Sequence, residues 1–222
     1  MRHGAKAESA VKSALVIGGG IAGPTAAIAF KKAGIEATIY EAYAAGANTA
    51  RIAGGFNIAT NGLDALEAID ALGVTTGRGI AAARYSLYNA SGKLIGTVAT
   101  GLPRAGGLTT MTFKRAELFQ ALVDEALRRG IHIEYGKRLV GLDQSASSVI
   151  ASFKDGTTAT GDVLIGADGL RSTVRKLIDP SAPEPRYTGL VAFGGFAPNP
   201  GLAPNPGTWR MRSRSLPYPD GP

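Results

Sequence analysis

Residues 18–23 limit this chain more than any other stretch. They read Gly18-Gly19-Gly20-Ile21-Ala22-Gly23, after the apolar run Ala14–Ile17 and before an alanine-rich segment ending at Gly34. The run has the length of a buried strand, and the segment after it predicts a helix over Gly23–Ala33. Pro24 is tolerated in the first turn of that helix, where a missing N–H leaves nothing unsatisfied. The spacing G-x-G-x-x-G has a physical reason at each place. Gly18 makes the tight turn, Gly20 lets the backbone approach a pyrophosphate, and Gly23 packs the helix against its strand. Ile21 and Ala22 lead the turn into the helix amino end, which faces the phosphates. The next strand is "IEATIYE", which completes a βαβ unit. Its last residue, Glu41, stands 18 residues after Gly23. A carboxylate there suits ribose hydroxyls and opposes a 2′-phosphate. NAD and FAD satisfy this motif equally well.

Composition narrows the function classes. The 222 residues are 45% hydrophobic, enough for one core and a second, smaller lobe. Lys and Arg number 24 against 17 Asp and Glu, a net charge of +7, which suits an anionic small ligand. The basic residues are scattered and only 7% of residues are aromatic, so no nucleic-acid partner is expected. The absence of cysteine excludes disulfides, thiolate metal sites and cysteine nucleophiles. His3 lies in a polar leader and His132 opens the strand "IHIEY"; neither has a metal partner at ligand spacing. A histidine-based hydrolase is therefore not expected. Ser13–Phe30 is 18 residues without a charge, close to a membrane-spanning length. Its glycines and Pro24 divide it into strand, turn and helix, so no membrane partner is expected. No small-residue cleavage site follows the basic leader, and the expected location is cytoplasmic.

Further along, "FNIAT" reads as a short strand and Asn61 as the cap of a helix "GLDALEAIDALG", with Gly73 just past its end. "RYSLYNASGKLIGTV" reads as two strands around an Asn-Ala-Ser-Gly turn. Lys114–Arg129 places Leu118, Leu122, Ala126 and Leu127 on one helical face, with Gly130 as the stop. Strands follow at "IHIEYG", "RLVGLD", "SVIASFKDG" and "GDVLIGA". Ten of the twelve prolines lie from Pro180 onward, which puts a lobe boundary near residues 180–186.

The stretch "DVLIGADGLRSTVR" adds a second strand, Asp-Gly turn and basic helix. It resembles the second fingerprint of the aromatic-ring hydroxylases, the flavin monooxygenases related to para-hydroxybenzoate hydroxylase. Asp168, Gly169, Ser172 and Arg175 stand at the fingerprint's places, and Arg115 with Leu118 match that family's R-x-x-L. The resemblance covers most of residues 13–178. It implies an α/β fold: a Rossmann-like FAD-binding domain over residues 1–80 and 108–180, with a partial β-rich substrate lobe over 81–107 and 181–222. It implies FAD in an extended pose, its adenosine half on Gly18–Gly23 and Glu41. Its ribityl chain runs past Asp168 and Gly169, with Arg115 against the cofactor and Arg51 on the flavin side. Asn57 and Asn61 are polar contacts near the ring, or else loop caps.

The same residues carry plainer readings. Asp168-Gly169 is also an ordinary turn, Ser172 an ordinary N-cap, and Arg175 and Lys176 ordinary partners of a helix carboxyl end. A solvated loop charge suits Arg51 equally well. Arg115 at a helix amino end opposes the dipole and calls for an anionic partner, Glu117 or a phosphate. Tyr85, Tyr88, Tyr187 and Phe193 either face a ligand or, as the better reading, form the core of the lobe.

The implied chemistry needs no side-chain nucleophile, acid or base. NADH or NADPH reduces the flavin, and one oxygen atom goes to an aromatic or polyketide-like small molecule. A flavin reductase or halogenase and a non-catalytic nucleotide-binding fragment are the rivals; the single Trp209 opposes a halogenase, which carries Trp-x-Trp. Relatives by this resemblance continue further, through a substrate sheet and a third, Gly-Asp motif. "RMRSRSLPYPDGP" shows no strand alternation, so a truncated chain is expected. Such a chain would hold FAD weakly, self-associate through an exposed sheet edge, and not turn over.

Overall fold

The computed structural model describes residues 11–47, 54–89, 91–104, 106–189 and 208–212. In chain order the first elements are β1 (Ser13–Ile17), α1 (Ala22–Lys32), β2 (Glu36–Glu41), β3 (Gly55–Ile58), α2 (Thr60–Ala68), α3 (Leu72–Thr76), β4 (Gly79–Ala81), β5 (Arg84–Tyr88) and β6 (Leu94–Ala99). They continue with β7 (Met111–Lys114), α4 (Arg115–Arg128), β8 (His132–Tyr135), β9 (Leu139–Gln144), β10 (Val149–Phe153), β11 (Thr158–Gly161), β12 (Val163–Gly166), α5 (Thr173–Ile178) and β13 (Thr208–Arg212). Two compact units result, Met1–Ala53 with Ala116–Phe193 and Gly54–Arg115 with Gly194–Pro222. The packing thus divides at 53/54, 115/116 and 193/194 rather than at the expected 80, 107 and 180.

The first unit is built on a four-stranded parallel sheet in the order β12-β1-β2-β8. Alternation along β1 decides its two faces. Leu15 and Ile17 pack with Tyr40, Leu139, Val149, Ala151, Phe153 and Val174 under the antiparallel meander β11-β10-β9. Val16 points the other way, towards α1, whose Gly23, Pro24, Ala27 and Ile28 are buried. Each fully buried Val or Ile contributes about 1.5–3 kcal/mol. A sheet covered on both faces reads as an unbroken apolar run, which is why "ALVI" was recognisable.

Helix ends are set by the residues that adopt the left-handed position. Gly34 (φ 81°) closes α1, with its N–H donating to Lys31 O at 3.1 Å and that of Ile35 to Phe30 O at 2.9 Å. Gly130 (φ 74°) closes α4 in the same way. The pattern is the Schellman cap, and glycine adopts its left-handed position freely. Asp70 (φ 56°) makes an equivalent stop, with the Ala71 N–H on Leu66 O at 2.8 Å. The single helix expected over 62–72 is therefore two. Ala59, not Asn61, stands at the N-cap of α2, and Gly73 lies inside α3.

Other expectations need correction. Leu127 is exposed, and the buried face of α4 takes in Phe119, Ala121, Val123 and Glu125 instead. β4, β7 and β11 lie where no strand was expected. Most notably, Thr208–Arg212 forms a strand, pairing in parallel with β5 from Thr208↔Arg84 to Arg212↔Tyr88. Backbone ladder bonds do not need side-chain alternation, so the pattern gave no sign of it.

In the second unit β3-β7-β4 and β13-β5-β6 form two three-stranded sheets. The β5–β6 hairpin is as expected: the Asn89 side-chain oxygen accepts from Ser91 Oγ (2.8 Å) and from the Lys93 N–H (2.9 Å), and Gly92 has φ 84°. Tyr85 and Tyr88 are half-buried there. Tyr187 belongs to the first unit and is 61% exposed, so it is not a core residue; Phe193 lies outside the described residues.

Candidate functional site

The parallel register brings the carboxyl ends of β12, β1, β2 and β8 to one edge. Ile17 pairs with Gly166 and with Tyr40, and Glu41 pairs with Tyr135. Ligands of open parallel sheets bind outside that edge.

At the end of β1 the glycine turn has φ 110° at Gly18. A Cβ there would lie 2.4 Å from Ala167 O and 3.0 Å from Asp168 N. A Cβ on Gly23 would lie 1.9 Å from Gly18 O, so α1 is pressed onto the turn. At Gly20, by contrast, a Cβ would meet nothing within 4 Å. The backbone is bare there and open to a ligand. Ile21, at the N-cap of α1, supplies no side-chain cap, and the first turn, beginning at Ala22, carries no acidic residue. Its amino end is left to an anion.

Glu41 is only 6% exposed. Its carboxylate accepts from the Gly19 N–H at 2.7 Å and from the Tyr43 N–H at 2.9 Å, one on each oxygen. These bonds fix the carboxylate beside the glycine turn. Each oxygen keeps a further lone pair for a hydroxyl donor.

The second turn abuts the first through backbone, with the Ala167 N–H donating to Ile17 O at 2.8 Å. The Asp168 carboxylate caps α5: it accepts from Ser172 Oγ (2.5 Å), the Thr173 N–H (2.7 Å) and the Val174 N–H (3.1 Å). Ser172 in turn accepts from the Arg175 N–H at 2.9 Å. Gly169 is exposed at φ 81°. Arg175 serves the amino side of its helix, through Leu170 O at 3.1 Å, and not the carboxyl end; its buried Nε has no partner among the described residues.

Arg115 opens α4 and belongs to the second unit, with its N–H on Gly54 O at 3.0 Å and its side chain exposed. Asn57, also in that unit, donates to the Tyr85 hydroxyl and accepts from Thr112 Oγ1, so it is a strand residue and not a loop cap. Asn61 is exposed within α2. Arg51 lies outside the described residues.

Sequence reasoning missed the group beside Glu41. The Lys137 N–H donates to Glu41 O (2.8 Å) and the Gly136 N–H to Tyr43 O (3.0 Å). The Arg138 guanidinium lies 5.2 Å from the centre of the Tyr43 ring. Burial, and then the charge of Glu41, push the Tyr135 hydroxyl up from its ordinary value. The β2–β8 register joins Glu41 to Tyr135 across 94 positions of chain, and no local pattern carries that information.

Comparison with known proteins follows the same lines. A family model described as FAD binding domain matches residues 12–194. FAD-dependent urate hydroxylase of Klebsiella pneumoniae is 29% identical over 184 residues, covering 82% of this chain and 47% of that protein. 6-Hydroxynicotinate 3-monooxygenase of Pseudomonas fluorescens is 28% identical over 189 residues, covering 83% and 47%. The crystal structure of Klebsiella pneumoniae HpxO complexed with FAD and uric acid superposes with a TM-score of 0.62 at 29% identity, over 74% of this chain and 41% of that one. The chain spans about half the length of the curated relatives it matches.

Proposed function

We propose that this chain, which belongs to the FAD binding domain family, carries the dinucleotide grip of an FAD-dependent monooxygenase. The reaction read from its relatives is hydroxylation of an aromatic small molecule, with NADH or NADPH as reductant. The open face at Gly20 is the observation that carries the reading: it is the one glycine of the fingerprint that packing against the protein does not explain.

The residues present fit the cofactor. The uncapped amino end of α1 and the bare backbone of Gly20 would hold the pyrophosphate, and Glu41 would accept from ribose hydroxyls. Gly18 and Gly23 act indirectly, by letting turn, helix and second motif close on one another. Asp168 holds the second turn in shape through α5. The assignments of Gly169, Arg115 and Arg51 to the cofactor rest on the resemblance alone. FAD, when bound, would supply the redox chemistry and oxygen activation; these residues bind and orient it.

Among the described residues no helix is long and apolar enough to cross a membrane; Ser13–Phe30 is divided between β1 and α1. A cytoplasmic location, and a small-molecule substrate without nucleic acid as partner, complete the reading. Absorbance in the flavin band, followed by NAD(P)H-dependent oxygen uptake with a urate-like or hydroxypyridine-like compound, tests it. Flavin binding without substrate-dependent uptake would leave a nucleotide-binding module only.

A further inference from the structure

In the second unit β6 ends the order β13-β5-β6, and Leu94–Ala99 carries neither charge nor proline. Sheet edges are ordinarily guarded by charge, by shortness or by a bulge. Among the described residues the other edge strands follow that rule. β8 carries Glu134, β9 Asp143, and β13 Arg210 and Arg212, while β3, β4, β11 and β12 have four residues or fewer. In β6 a register shift leaves Ile95 unpaired, and beyond it the strand pairs regularly with β5 as far as Ala99. Leu94 and Ile95 are exposed, and Val98 is 49% exposed.

The ladder to β5 decides which backbone groups face outward. The Thr100 N–H donates to Ala83 O at 3.0 Å, towards β5. Direction alternates from residue to residue, so Gly96 and Val98 also turn their groups to β5. Thr97 and Ala99, both exposed, turn theirs away. We propose that β6 pairs antiparallel with β6 of a second copy of this chain, about a two-fold axis at Val98. Thr97 then faces Ala99 of the second copy and exchanges both backbone bonds with it, and Ala99 does the same with the other Thr97. Every outward N–H and C=O of the regular stretch is used. Val98 meets its own counterpart as a non-hydrogen-bonded pair, with about 4.5 Å between Cα atoms. A second copy suits this edge because pairing sets no like charges opposite one another, in a chain whose net charge of +7 repels copies elsewhere.

The chain has no cysteine, so one introduced thiol reports on the axis. Cα atoms about 4.5 Å apart lie within disulfide reach. Val98→Cys is expected to cross-link to its own copy on mild oxidation at least roughly ten-fold faster than Leu102→Cys. Leu102 is the more exposed of the two, at 84%, but lies off the axis. Sedimentation of the wild-type chain over about 1–100 μM is expected to show a monomer–dimer equilibrium. Thr97→Pro removes an outward N–H and spares the bonds to β5, and Val98→Lys sets a charge against itself at the axis. Each is expected to weaken the dimer by roughly ten-fold or more. Should Thr97→Pro lose its strand signal in circular dichroism, Val98→Lys and the cross-link decide. A wild-type chain that stays monomeric at about 100 μM would overturn the pairing. So would a dimer that withstands the substitutions, or equal cross-linking of Val98→Cys and Leu102→Cys.

Discussion

Gly18 and Ala167 are in such close contact that a Cβ on Gly18 would lie 2.4 Å from the Ala167 carbonyl oxygen. The first fingerprint's leading glycine is thus required by the second fingerprint, as well as by its own turn at φ 110°. The two motifs, 150 residues apart in the chain, are one packed unit at the ends of neighbouring strands.

Substitutions at the three glycines should therefore separate packing from binding. Gly18→Ala forces a backbone collision and should destabilise the fold by about 2 kcal/mol or more. Gly23→Ala should act in the same sense. Gly20→Ala should leave stability within about 1 kcal/mol of wild type and weaken FAD. Denaturant midpoints and flavin titration on the same samples check this; a Gly20→Ala protein that binds FAD as wild type does removes the pyrophosphate from that face.

Asp168→Ala removes the carboxylate that three donors of the α5 amino end share. Loss of the cap should cost about 1 kcal/mol of stability. FAD affinity should fall by about 1–3 kcal/mol. Unchanged FAD affinity with only the stability loss would return the second motif to an ordinary helix-capping turn.

Glu125 supplies a pH dependence. Buried in α4, it accepts from Arg128 Nε and Nη2, both at 2.7 Å, and from Arg129 Nε at 2.6 Å. The Arg128 hydrogen bonds, ahead of the opposing effect of burial and with Arg129, lower its carboxyl to about 2 from 4.5. A folded-state value below the unfolded one means stability that is complete above pH 4.5 and lost as pH falls towards 2. The contribution should be roughly 1–3 kcal/mol. Unfolding curves between pH 6 and pH 2 should show this loss in wild type and a smaller one in Glu125→Gln; parallel curves would contradict it.

The legible parts of the fold were those whose chemistry is local. The strand before Gly18, the helix after it, and the stops at Gly34 and Gly130 each follow from residue type and spacing. Asp70 was not legible as a stop, because aspartate adopts the left-handed position less often than glycine and gives no warning of it. β13 was hidden because its pairing is a backbone matter. At the site, Gly18, Gly20, Gly23 and Glu41 were named from spacing, and the structure brings them together. Tyr43, Tyr135 and Arg138 were not named, because only the β2–β8 register puts them beside Glu41. The N-cap at Ser172 follows from its residue type and place, whereas Asp168, expected as an ordinary turn residue, also accepts from the amino end of α5.

The edge of the sheet at Gly20 and Glu41 is proposed to select FAD. Purified protein titrated in parallel with FAD and NAD, then denatured so that whatever it carries can be identified, puts it to the most direct test. Flavin binding is expected, with FAD preferred over NAD by at least roughly ten-fold, a difference of about 1.4 kcal/mol. Stoichiometric NAD, without flavin, would contradict it.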